Sequence, residues 1–309
     1  RQMAGPPVTT EGNSMHARLA VNPISYWFMP DGTIDRSTAN LAVAMTELSG
    51  IGYHFVKADV PSDMSADQYL DWLGGFGMKP AITLFSASFA DPSTHAETAE
   101  KARAFAAVQA SLGMRHTMIS TMDGMDAPRM RTPAVGFGHD DEVFDRVIDG
   151  IRLACEAMQS EGVTAALHSH IGGAIETEAE IRTVLESIDA DLLKFGPDTG
   201  HMAWGGVDVV QIVSDYADRL VAVHLKDIFL SKAEQGKKDG KPYFDMNKRG
   251  ELWAEPGIGE LDMSAIIAAF PETFTGDFMI EVDVPSFESR RESHQVSYDW
   301  ARTALPIWG

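Results

Sequence analysis

The sequence predicts one α/β domain folded as a single (β/α)8 TIM barrel, and three observations predict it. Eight short apolar runs, rich in β-branched residues and of strand length, recur along the 309 residues. Amphipathic stretches such as TANLAVAMTELSGIG, ETAEKARAFAAVQASLG and EAEIRTVLESI separate them, and alternating strands and helices imply a parallel sheet. The length suits a barrel, which takes about 250 residues. The rival doubly wound sheet would be marked by G-x-G-x-x-G after its first strand, and none follows it.

The strand candidates, in order, are ARLAVNPI (17–24), YHFVKADV (53–60), KPAITLF (79–85), HTMISTM (116–122), TAALHSH (164–170), LKFGPDT (193–199), LVAVHLKDI (220–228) and FMIEVDV (278–284). Several intervening helices close on glycine, a common C-terminal signal. No Pro- or Ser-rich linker interrupts residues 16–309, so they form one domain. Residues 1–15, RQMAGPPVTTEGNSM, lack an apolar core for a secretory signal and read as a loose, disordered leader. Two long insertions, 123–142 and 229–257, follow strands four and seven. Loops after barrel strands line the active-site face, so both are candidate lids or binding loops.

Composition narrows the partners. A hydrophobic content of 44% supports a large core. No apolar run reaches the roughly 18 residues needed to span a membrane. The net charge of −20 repels phosphate backbones and argues against nucleic acid. The one basic cluster, KAEQGKKDGK (232–241), reads as a solvated loop. The lone cysteine, Cys155, supports no disulfide framework and no thiolate metal site. It fits a small core residue in a cytoplasmic protein.

Strand interiors should be apolar, yet ionisable residues collect where the late strands end. Strand five ends in His168-Ser169-His170. Strand six ends in Asp198, with His201 just beyond. Strand seven carries His224, Lys226 and Asp227, and strand eight carries Glu281 and Asp283. In a barrel these ends meet at one face. Taken singly, each has a plainer explanation: a hydrogen-bonded histidine, an Asx-turn at Asp198, a buried ion pair at Glu281. Taken together they are costly to bury unless they pair or bind a cation, and the conjunction favours a divalent metal. Carboxylate and imidazole without thiolate suit Mn²⁺, Co²⁺ or Mg²⁺, with Zn²⁺ also compatible. Such a cation would polarise a carbonyl while a nearby base takes the proton from the adjacent carbon.

The stretches LHSHIGGAIETEAEI, FGPDTGHMAWGGVD, ADRLVAVHLKDI and PGIGELDMSAI, followed by FMIEVDVP, resemble the xylose isomerase-like barrel superfamily. Its members include sugar phosphate isomerase/epimerases and inosose dehydratases. The likeness is strong over roughly residues 160–285. The segments NPISYW and VKADVP, with HSHIGG, resemble the catalytic subunits of bacterial C-glycoside deglycosidases, which cleave 3-oxo-C-glycosides and pair with a small second subunit. The resemblance therefore implies a metal-dependent enzyme on a keto-sugar or glycoside, as a lyase or an isomerase. A small second subunit or a homo-oligomer goes with it.

In that superfamily the ends of strands five to eight typically offer Glu, Asp, His and Glu to the metal. Carried over, these are Asp198, His224 and Glu281, with Mn²⁺ the best match. Strand five departs, because His168-Ser169-His170 stands where many members have Glu-Pro. The nearest carboxylate is Glu176, which is expected as the fourth ligand, leaving His168 or His170 as the base. The alternative makes one of these histidines the ligand and leaves Glu176 at a helix start, where the dipole favours carboxylates. Lys226 is expected to neutralise an enolate, or to pair with Asp227 or a neighbouring strand. Substrate contacts are expected from His201, Asn22, Lys57 and Trp204. A non-catalytic sugar-binding barrel is the competing reading from a different class.

Overall fold

The computed structural model describes residues 17–29 and 33–307. The expected leader, 1–15, lies outside them. Every strand candidate overlaps a strand; strand eight begins one residue before its apolar run, and strand three extends two residues beyond its own. In order they are strand one, Arg18–Val21; two, Phe55–Lys57; three, Lys79–Ala81 continued as Leu84–Ala87; four, His116–Thr121; five, Thr164–Leu167; six, Leu193–Phe195; seven, Ala222–Leu225; and eight, Asp277–Ile280.

All neighbours in the two barrel sheets pair in parallel. Strand one lies between two and eight, and eight continues to seven. Strand three changes partner midway: Lys79–Ala81 pairs with two, and Leu84–Ala87 pairs with four. Strands four, five and six complete the run. Six meets seven through the isolated bridges Phe195–Leu220 and Asp198–His224. Pairing thus passes round all eight strands, as the sequence predicts.

Small and flexible side chains fill the strand interior. Ala20, Ala81, Ile82, Met118, Ala222 and Met279 form a separate buried cluster, while the larger apolar core lies between strands and helices. The helix Asp141–Gln159 illustrates the outer layer. Asp140 caps it by accepting from Val143 N, and Phe144, Val147, Ile148, Ile151 and Cys155 are buried on it. Cys155 is the small core residue expected, and burial pushes its thiol up. No helix among the described residues is long and apolar enough to cross a membrane.

Both insertions are ordered elements over the strand ends. The first contains the short helix Pro128–Arg131, and the second contains Leu230–Lys238 and Tyr243–Met246. The helices Tyr243–Met246 and Pro128–Arg131 are in contact. The second insertion returns as Trp253–Ala254, antiparallel to Asp227–Ile228. The expected loop at 232–241 is therefore mostly helix. Ala233 and Gly236 are buried, and a Cβ on Gly236 would come within 2.4 Å of Met246 Sδ. Packing on Met246 overrides the glycine and lysine content that favoured a solvated loop.

Candidate active site

The DTGH stretch shows how the sequence folds locally to make the site. Strand six ends at Phe195, and Asp198 follows as the N-cap of the helix Thr199–Trp204. Its Oδ1 accepts from His201 N at 2.8 Å, while its Oδ2 is buried with no hydrogen-bond partner. The same residue is thus both the turn residue and the free donor that the sequence offered as alternatives. Thr199 Oγ1 donates to Lys226 O at 2.7 Å and accepts from Lys226 N at 2.9 Å, tying this turn to strand seven. A Cβ on Gly200 would lie 2.8 Å from Lys226 Cγ, so glycine permits the close approach.

Three donors converge. Ligand atoms of His168, Asp198 and His224 lie within 4.8 Å of one another, all buried. His168 Nδ1 bonds to Gly196 O at 2.8 Å, which turns Nε2 toward Asp198 Oδ2, 3.9 Å away. His224 Nδ1 is 3.8 Å from the same oxygen. Glu281 adjoins them: its Oε2 touches His224 Nδ1 at 2.5 Å, yet neither His224 nitrogen makes an aligned hydrogen bond. Burying this many polar atoms without partners is costly. A divalent cation would satisfy Asp198 Oδ2 and the His224 ring together, so the donor set fits one.

Lys226 holds the other side. Its Nζ lies 2.8 Å from Glu281 Oε1, 3.2 Å from Asp283 and 3.3 Å from Asp198 Oδ2, and 4.7 Å from the Trp253 ring. Burial alone would lower its pKa, but Asp198, Asp283 and Glu281 hold it well above the ordinary lysine value. Burial alone would raise Glu281, but His224 and Lys226 keep it well below the carboxylate range. Asp283 is pushed up to about 7, chiefly by burial and against the pull of Lys226. His168 and His201 are driven well below the usual imidazole value by burial first and by neighbouring rings next. His170 falls to about 4, through burial and then the Lys226 charge.

Several expected roles are corrected. Glu176 does not reach the donor cluster. Its carboxylate accepts from Gly136 N (2.9 Å), Gly172 N (3.0 Å) and Ala134 N (3.3 Å), and it is not among the residues whose donor atoms converge. Nor does its side chain cap the next helix, because Thr177 and Glu180 form that capping box. His168 stands with the metal-ligand candidates in its place. Asn22 is spent within the protein: Nδ2 donates to Glu281 Oε2 at 2.8 Å and Oδ1 accepts from Ile24 N. Lys57 pairs with Asp59 at 2.6 Å, and Asp59 in turn accepts from Thr83. Trp204 is 0% exposed and packs against Tyr243 and Trp253, so it backs the site instead of offering a stacking face.

The remaining expectations stay at the mouth. The His170 and His201 rings lie against each other, with centroids 3.7 Å apart and planes tilted by 38°. His201 Nε2 is buried without a hydrogen-bond partner, and the His201 and Trp253 rings meet edge to face with centroids 4.8 Å apart. Lys226 does not pair with Asp227, whose carboxylate takes the N–H groups of Ile228, Gly257, Gly259 and Leu261. Tyr243 was not foreseen. It lies in the second insertion, 6.0 Å from the His170 ring, and no periodicity marks it. Its only sequence signal is the length of that insertion.

Comparison with known proteins agrees with this architecture. The profile of the xylose isomerase-like TIM barrel family matches residues 45–304. The chain is similar to the inosose dehydratase of Geobacillus kaustophilus (strain HTA426), at 26% identity over 77% of this chain and 83% of the relative. Among solved structures, an L-ribulose 3-epimerase superposes with a TM-score of 0.67 at 15% identity, covering 94% of each chain. An IolI protein with a bound zinc atom gives a TM-score of 0.67 at 15% identity, over 93% of this chain and 98% of the other. With more than half of its length matched by that profile, the chain belongs to the xylose isomerase-like TIM barrel family.

Proposed function

We propose that this protein is a divalent-metal-dependent lyase or isomerase that removes a proton beside the carbonyl of a keto-sugar or keto-polyol. The observation that carries the reading is the buried convergence of His168, Asp198 and His224 with Glu281, which leaves Asp198 Oδ2 and the His224 ring without hydrogen bonds. The inosose dehydratase relative and the zinc-bearing IolI neighbour support it.

A divalent cation held by His168, Asp198, His224 and Glu281 would supply Lewis acidity toward the substrate carbonyl. The chain's own groups do the rest. Lys226, kept protonated by three carboxylates, places fixed positive charge where an enolate oxygen develops. Asn22 and Lys226 hold Glu281 from both sides and fix its direction. With His168 among the donors, His170 is the strand-five imidazole left to accept the substrate proton at Nε2. Tyr243, Trp253 and the two insertions exclude water above the site.

Epimerases of the superfamily that the sequence resembles use two facing Glu residues to move a proton between the faces of one carbon; a single imidazole acceptor on strand five lacks that symmetry, so elimination or isomerisation is favoured over epimerisation. Within elimination, NPISYW, VKADVP and HSHIGG point to cleavage of a 3-oxo-C-glycoside; this narrower reading rests on that resemblance. The manganese assignment rests on the same resemblance; two imidazoles among the donors suit Zn²⁺ or Co²⁺ equally well. Elemental analysis should find about one divalent ion per chain, in line with one four-donor site. The same protein should exchange the α-proton of an inosose or a 3-keto-glycoside with deuterium. Exchange that survives both chelation and Asp198→Ala would overturn the reading.

A further inference from the structure

The peptide of Ile171 hydrogen-bonds to the neighbouring imidazoles of His170 and His201 and treats them oppositely. Its C=O bonds to His170 Nδ1 at 2.8 Å. Its N–H donates to His201 Nδ1 at 3.3 Å. A carbonyl can only accept, so His170 carries its hydrogen on Nδ1 and keeps a lone pair on Nε2. An amide N–H can only donate, so His201 Nδ1 is the lone-pair nitrogen and Nε2 carries the hydrogen. That Nε2–H is the buried atom that finds no acceptor in the protein. His201 is buried and His170 half-buried beside it, so the two hydrogen bonds to the Ile171 peptide, not solvent, set which nitrogen of each ring carries its hydrogen.

We propose that the Ile171 peptide is a tautomer clamp that fixes a proton acceptor, His170 Nε2, beside a hydrogen-bond donor, His201 Nε2–H, and that the pair reads a carbonyl oxygen together with the C–H on the carbon next to it. The inference rests on the functional reading above and deepens it. His201 donates to the carbonyl oxygen and stays protonated throughout, because losing that hydrogen would leave an imidazolate. His170 takes the proton from the adjacent carbon. The C–H electron pair becomes the new C=C bond of the enolate, and the carbonyl π pair moves to oxygen, where the His201 N–H and the Lys226 charge meet it. The two rings lie side by side, with centroids 3.7 Å apart and planes tilted by 38°, close enough for one small ligand to meet both. Ile171 is a positioning residue, acting only through the two rings. The roles cannot interchange, since swapping tautomers would set two N–H groups or two lone pairs against each other at the Ile171 peptide.

The clamp is tested first without ligand or turnover. Long-range ¹H–¹⁵N spectra of ¹⁵N-histidine protein, assigned with His170→Gln and His201→Gln, should show His170 as the Nδ1–H form and His201 as the Nε2–H form. The opposite form at either ring overturns the proposal, whatever becomes of the functional reading. The donor is tested by α-proton exchange of an inosose in deuterated water. Removing a hydrogen-bond donor aimed at developing charge costs on the order of 10²–10³ in kcat. His201→Phe should lose that much with KM little changed, and His201→Gln, which keeps an N–H donor, should recover at least ten-fold over Phe. A Phe variant as fast as the wild type, or a Gln variant no better than Phe, overturns the role of His201. Failure of the wild type to exchange at all, with the tautomers as stated, counts against the functional reading and leaves the clamp standing.

Discussion

Two buried carboxylates, Glu176 and Asp198, close together in sequence, meet opposite fates. Glu176 is 1% exposed and Asp198 is 0% exposed. Glu176 is satisfied entirely from within. Three backbone N–H groups, two from the first insertion and one from the loop after strand five, converge on its oxygens. Ala134 and Gly136 present those groups from a left-handed conformation, with φ of 66° and 64°. Asp198 spends one oxygen on its own helix cap, while the other faces the Lys226 charge at 3.3 Å and the His168 and His224 rings without a hydrogen bond. The difference teaches that burial of an acid marks a functional group only when its lone pairs are left over. The Glu176 region is a clasp that pins the first insertion to the loop after strand five, and the Asp198 region is the proposed metal site.

The sharpest way to break the comparison is to remove each carboxylate. Asp198→Ala is expected to empty the site and to cut turnover on the order of a thousand-fold or more. Elemental analysis together with the exchange assay checks both. Lys226→Met tests what balances the acids around Asp198. It leaves Glu281, Asp283 and Asp198 without their cation. Breaking a buried ion pair of this kind costs about 3–5 kcal/mol, read from urea unfolding of chelated protein. Addition of a divalent ion should recover part of that loss; no recovery would detach Lys226 from the metal-binding region.

On the clasp side, Glu180 gives a pH test. It pairs with Arg129 at 2.6 Å, accepts from the N–H groups of Glu176 and Thr177, and meets His139. Burial works against its charge, but Arg129 and these N–H groups bring its pKa down to about 2. A depressed carboxylate stabilises the fold above its unfolded value and loses that contribution as pH falls toward its folded value. The difference in unfolding free energy between wild type and Glu180→Gln should therefore be full near pH 6, at up to about 3 kcal/mol, and shrink between about pH 5 and 2. A difference independent of pH would refute the ionised clasp.

The smallest effect is expected from Glu176→Ala. Orphaning its three backbone donors should cost about 1–3 kcal/mol of stability. Metal content should stay at the wild-type level. A folded Glu176→Ala protein that has lost its metal would reverse the assignment of the two carboxylates.

Much of the fold is legible in the sequence because strand and helix periods are local properties. Each of the eight apolar runs overlaps a barrel strand, and the ionisable residues at the ends of strands five to eight share one face because every barrel strand points the same way. Asp198 and His224 are even paired directly across the junction of strands six and seven. Local composition misled at 232–241, where packing of Gly236 on Met246 made a helix from a loop-like segment. It misled again at Trp204, because an aromatic residue near the mouth looks the same in sequence whether it lines the site or backs it.

What the sequence by itself determined is the barrel, the strand on which each donor stands, and the separation of Asp198, His224 and Glu281 onto consecutive strands. Only the tertiary structure decided which polar atoms are used up. Asn22 and Lys57 were offered to a substrate, yet their partners Glu281 and Asp59 claim them. Glu176 was offered to a metal, yet backbone from residues 134–136, some forty positions earlier, reaches it first. His168 was left between two roles until the Gly196 carbonyl turned its other nitrogen toward Asp198. Hydrogen-bond satisfaction is a property of distant segments brought within about 3 Å, and no local pattern encodes it.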